Sequence, residues 1–172
     1  MKNRARRVAF AGMFIALNIV LTRFFSYTVV IGGVQNIRLG FGEIPVILSG
    51  IMLGPVYGAI TGALADLIGY PFNPMGPYFP GFTLSSALTG LLPGLMSLLF
   101  RKKWTWQSLA ITIGITTVIT SLTLNTLWLS MMMGKAFIVL LPARIIGNFI
   151  LVPIYVIVVR LFLTHFNQSE EI

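Results

Sequence analysis

Long apolar runs, separated by short polar or Pro/Gly-rich turns, cover almost the whole chain and constrain it more than any other feature. A helix needs about 20 mostly apolar residues to cross hydrocarbon. The first run extends from about Val8 to Tyr27. A loop follows, with Gly32, Gly33, Gln35, Asn36, Arg38 and the Leu39–Gly42 turn. The second run, Ile44 to Leu53, is short and is broken by Gly54-Pro55. The third spans about Val56 to Tyr70. The fourth, Thr83 to Phe100, comes after an aromatic Pro/Gly loop from Pro71 to Phe82. The basic turn Arg101-Lys102-Lys103 precedes the fifth, Gln107 to Met133, and Gly134-Lys135 precedes the sixth, Ile138 to Leu163. The pattern predicts an all-α integral membrane protein with six transmembrane helices in a single domain, residues 1–172. The charge supply agrees. Only 9% of residues are charged, against roughly a quarter in a soluble domain.

The net charge of +8 would suggest nucleic acid in a soluble protein. Here the basic residues flank the apolar runs, as the positive-inside rule requires. With six spans, one side holds Lys2, Arg4, Arg6, Arg7, Arg101, Lys102, Lys103 and Arg160. The other holds Arg23, Arg38, Lys135 and Arg144. The richer side belongs in the cytoplasm, so both termini are expected there, in the cell membrane. The basic N-terminus lacks an A-x-A-like cleavage site after its apolar run, so the first run is expected to stay as a helix.

Whole classes of chemistry are excluded. There is no cysteine, and a single histidine, His165, lies near the C-terminus, so no metal site is expected. Gly134-Lys135-Ala136 lacks the glycine spacing and the Ser/Thr of a Walker A loop. Glu43 and Asp66 have neither a nucleophile nor a D-x-x-x-D neighbour, which leaves little room for catalysis, whether hydrolytic or on a lipid-like substrate.

Four charges stand in or at the edge of apolar runs: Arg23, Glu43, Asp66 and Arg144. At the bilayer centre each costs about 2.5–3.5 kcal/mol. The assigned topology puts all four in the outer half, on the side that also carries Arg38 and Lys135. Four cations against two acids leave a surplus of two, which suits a doubly anionic ligand. Interfacial anchoring and internal ion pairing are the other reading of the same residues. Tyr78, Phe79 and Phe82 crowd one outer loop, and Trp128 follows Asn125 by three residues, on one helix face. An amide beside a large aromatic can bond and stack a flat heterocycle; an aromatic belt at the interface explains the rings equally well. Small residues recur at Ala5, Ala9, Gly12 and Ala16, at Gly54, Gly58 and Gly62, and at Gly90 and Gly94. Such stripes let helices approach closely.

Four strings carry a family resemblance: Arg38 to Tyr70 (RLGFGEIPVILSGIMLGPVYGAITGALADLIGY), Asn73 to Gly94, Leu124 to Phe137 (LNTLWLSMMMGKAF) and Leu140 to Ile146 (LLPARII). Together they resemble the folate-specific substrate-binding subunits, or S components, of energy-coupling factor (ECF) importers. The resemblance implies a six-helix bundle with a cavity open to the outside. It implies partners: a transmembrane coupling protein and two ATPases that supply ATP hydrolysis. It implies no cofactor beyond the folate ligand. The loaded subunit would rotate in the membrane to release its ligand inside. The family's small-residue motif for the coupling protein falls on Gly12 to Ala16, near Ala9, with glycine replacing the first alanine. The expected ligand contacts are Arg23, Arg38 and Arg144 for the two carboxylates, Trp128 for stacking, and Asn125 with Asp66 or Glu43 for the pterin edge. Tyr78, Phe79 and Phe82 would cover the ligand. An S component for another vitamin, such as the monoanion pantothenate, is the alternative.

Overall fold

A computed structural model describes residues 2–24, 26–31, 34–72, 77–100 and 104–169, with the side chains of 2, 3, 23, 26–39 and 166–169 outside the description. Helix α1 (Lys2–Phe24) leads into a hairpin of β1 (Ser26–Ile31) and β2 (Val34–Gly40), paired antiparallel with an irregularity between Val29 and Val30. Then come α2 (Glu43–Leu53), α3 (Pro55–Gly69), a 3-10 turn (Tyr70–Phe72) and α4 (Pro80–Leu99). Next follow α5 (Trp106–Thr117), a π-helical stretch (Val118–Asn125), α6 (Thr126–Met133) and α7 (Phe137–Ser169).

The differences from the sequence reading have local causes. The loop after the first helix is a hairpin, because Ser26–Ile31 (SYTVVI) ends in a run of four β-branched residues, which favour strand. Phe82 lies in the first turn of α4 and not in a loop, because Pro80 starts that helix without giving up a needed N–H. Gly54 does more than pack, although its backbone lies against Gly94. Its φ of +100° makes the corner between α2 and α3, and a Cβ there would meet nothing.

Among the described residues, four helical spans are long and apolar enough to cross a membrane: Arg4–Thr22, Pro80–Leu99, Trp106–Met133 and Phe137–His165. The chain is a multi-pass membrane protein. Its outer surface is apolar, with Phe149 82% and Leu99 73% exposed. Its interior holds the hydroxyls. Thr112, Thr116 and Thr120 are buried, and each donates 2.8 Å to the carbonyl four residues back. The step then lengthens: Thr123 donates to Val118 and Thr126 to Ser121, five residues back. That change of step marks the π-helical stretch.

Two cores hold the bundle. Phe14, Ile47, Leu48, Ile51, Leu109, Ile113, Tyr155 and Val159 pack α1, α2, α5 and α7 together. Glycines join α2, α3 and α4. A Cβ on Gly58 would sit 2.6 Å from Gly50 Cα, and one on Gly90 would meet the Gly58 backbone. Backbones in such contact gain dispersion where no hydrophobic force acts between helices. Two polar anchors fix the start of α2. Asn18 Nδ2 donates to the Gly42 carbonyl, and the buried Tyr155 hydroxyl donates 2.6 Å to the Gly40 carbonyl.

Candidate functional site

The anchored turn sets Glu43 at the first position of α2, where the helix dipole favours an acid. Helix α2 packs against α7, which carries Arg144. Arg144 is part-buried, and its Nη1 donates 3.0 Å to the Ser121 carbonyl in the π-helical stretch. Thr126 Oγ1 donates to that same carbonyl. Asn148, one turn on, donates 2.8 Å to the Arg144 carbonyl. A neutral acceptor thus orients the Arg144 guanidinium without cancelling its charge. At the end of the same stretch Asn125 Oδ1 is buried and has no hydrogen-bond partner. An acceptor left in that condition costs about 1–3 kcal/mol.

The first turns of α4 organise the remaining groups. Thr83 Oγ1 donates 2.7 Å to Asp66 Oδ2, and its oxygen lies 2.9 Å from the Tyr78 hydroxyl. One hydroxyl therefore ties the outer loop to α3. Tyr70 joins them, with its ring 5.3 Å from that of Tyr78. Two residues beyond Thr83, the buried Ser85 Oγ accepts 3.1 Å from Trp128 Nε1. Phe79 lies 5.5 Å from Trp128 and 6.1 Å from Phe82, centroid to centroid. A Cβ on Gly81 would sit 2.6 Å from Trp128 Cδ2, so the indole needs a glycine there.

The structure brings Asp66 and Tyr78 together through Thr83, then Phe79, Phe82 and Trp128, and it sets Arg144 on the Ser121 carbonyl. Asn125 lies along the chain between Ser121 and Trp128. The side chains of Arg23 and Arg38 lie outside the described residues, at the end of α1 and in β2. Ala9, Gly12 and Ala16 are exposed on α1, while Ala11 and Phe14 on its other face are buried. A crevice of about 280 Å³ lies between the π-helical stretch and α7, lined by residues such as Gly114, Leu122, Phe149 and Pro153. It has none of the charged groups of the candidate site.

Thr83, Ser85, Gly81 and Ser121 are positions in the candidate site that the sequence reading missed. Two hydroxyls within the first turns of a helix that follows an aromatic loop were the visible signal for Thr83 and Ser85. The role of the Ser121 carbonyl has no side-chain signature.

The family model of the ECF transporter substrate-specific component matches residues 6–162. The folate transporter FolT of Clostridium novyi (strain NT) is 42% identical over 145 residues, 84% of this chain and 80% of that protein. That of Leuconostoc mesenteroides subsp. mesenteroides is 29% identical over 158 residues, 88% and 80%. A crystal structure of FolT bound with folic acid superposes with a TM-score of 0.76 and 34% identity, over 88% of this chain and 90% of that one.

Proposed function

We propose that this chain, which belongs to the family of ECF transporter substrate-specific components, is the membrane subunit that binds folate for import. It is a transport subunit and not an enzyme. The observation that carries the reading of its site is Arg144, a part-buried cation oriented by the Ser121 carbonyl. A guanidinium so placed is free to take a ligand carboxylate in two parallel hydrogen bonds. Folate supplies two carboxylates at one end and a flat pterin at the other. The pterin stacks on Trp128, next to Phe79. Its N–H groups meet the unpartnered Asn125 Oδ1 and one of the acids. Thr83 occupies one oxygen of Asp66, leaving the other to accept. Arg23 and Arg38 add positive charge around the second carboxylate, and Tyr78, Phe79 and Phe82 cover the site.

Six crossings with both termini in the cytoplasm fit the charge distribution. Helix α2 is about 16 Å long, shorter than a hydrocarbon core of about 30 Å. Ile44 to Ile51 is buried throughout, so α2 crosses inside the bundle and not against lipid. Ala9, Gly12 and Ala16 form the face for the coupling protein, and two ATPases supply the energy.

Titrating folate into the purified protein while following tryptophan fluorescence tests the function. Saturable quenching at micromolar ligand or below is expected, and no response would refute it. Ser85→Ala removes the partner of Trp128 Nε1, at about 0.5–1.5 kcal/mol. Folate affinity should fall by a few-fold in the same titration.

A further inference from the structure

At the opposite end of the bundle Arg160, near the end of α7, lies over the Trp106 ring, with its guanidinium carbon 4.5 Å from the ring centroid. Its Nη1 is buried and has no hydrogen-bond partner among the described residues. The residue as a whole is part-exposed. The described acids nearest in kind, Glu43 and Asp66, belong to the outer site, so neither neutralises it. The first residue of α5 is Trp106, where the helix dipole adds positive potential. In sequence Arg101, Lys102 and Lys103 precede it by a few residues. Beside Arg160 the surface is apolar. Leu98, Leu99, Ile157 and Leu161 are all exposed, the two last within one turn of Arg160.

We infer that Arg160 and Trp106 form a binding site for the phosphate of an anionic phospholipid in the cytoplasmic leaflet. The inference rests on the orientation given under the proposed function. The ring holds the planar fork in place, so little side-chain entropy is lost when it takes a phosphate. An exposed apolar pair beside the charge, Ile157 and Leu161 at a spacing of four on α7, matches an amphiphile: acyl chains lie along that strip, and the headgroup meets the arginine. A soluble anion would have no use for that strip. A basic pocket between helix ends on the cytoplasmic side is a known kind of headgroup site.

The test uses the full chain in bilayers of phosphatidylcholine with a minor share of phosphatidylglycerol, re-extracted into detergent, with retained lipid quantified by mass spectrometry. The wild-type protein should retain phosphatidylglycerol above its share in the bilayer. Arg160→Gln should cut that enrichment about fivefold, the scale of one charge at a membrane surface. Arg160→Lys should fall between, since it keeps charge and loses the fork. Folate titration should be unchanged in both. If Arg160→Gln does not fold, Trp106→Ala decides by the same readout. Equal enrichment in wild type and variant overturns the inference. So does displacement of the lipid by inorganic phosphate, which would make the ligand a free anion. So does enrichment that appears only in Glu170→Gln/Glu171→Gln, which would make the tail acids the partner of Arg160. A wild type without any preference overturns it too, in favour of a protein partner. Lipid retention is read without folate, so failure of the folate reading leaves this result standing.

Discussion

Replacing Arg144 with alanine is expected to weaken folate binding at least tenfold while the protein still folds. The loss has two parts. A hydrogen bond to a charged group is worth about 1.5–3 kcal/mol, and the ligand carboxylate would lose two such bonds at once. The fold keeps a partner at that point, because the Ser121 carbonyl that the guanidinium meets also accepts from Thr126 Oγ1. Arg144→Lys keeps the charge but not the planar fork, so it should recover only part of the affinity. Isothermal titration with folate reads the loss, and thermal unfolding in detergent reads the fold. Wild-type affinity in Arg144→Ala would remove this residue from the site.

Gly90→Leu should abolish folding. A Cβ at residue 90 already falls against the Gly58 backbone, 3.0 Å from its Cα, and no flexible side chain is there to give way. Overpacking costs about 1–3 kcal/mol where neighbours can shift, and more where they cannot. Here α3 and α4 would have to separate, and the seam that Gly50 and Gly94 share with them would open too. Separation moves Asp66 away from Thr83 and so dismantles one side of the site. Gly114→Ala is the control. Its Cβ would meet nothing within 4 Å, so it should behave as wild type. Size-exclusion profiles of the two variants give the answer, and a monodisperse Gly90→Leu would refute the glycine seam.

The membrane class was legible because lipid inverts the usual surface, and a 9% share of charge leaves no other solvent. Segment boundaries were close for the same reason: α7 begins at Phe137 where the apolar run begins at Ile138. The hairpin was not legible, because Gly32 and Gly33 between its strands and Gly40 at the end of β2 read as a loop. Nor was the π-helical stretch within the fifth run. Val118–Asn125 (VITSLTLN) has the apolar pattern of any helix, and the lengthened step shows only in which carbonyl each threonine meets. Of the site, the charges and rings could be named, since charge is costly in lipid and stands out. What holds them could not. Ser85 and Thr83 look like ordinary interior hydroxyls until Trp128 and Asp66 are found on them. The Gly58 and Gly90 stripes were visible, but that they meet each other is a fact of the fold.

A structure of the protein determined with folate bound tests the central claim most directly. The account predicts the pterin ring against Trp128 and a ligand carboxylate on Arg144 Nη atoms, between the π-helical stretch and the start of α4. Folate found in the apolar crevice beside Phe149 and Pro153, or a ligand whose carboxylates point away from Arg144, would contradict it.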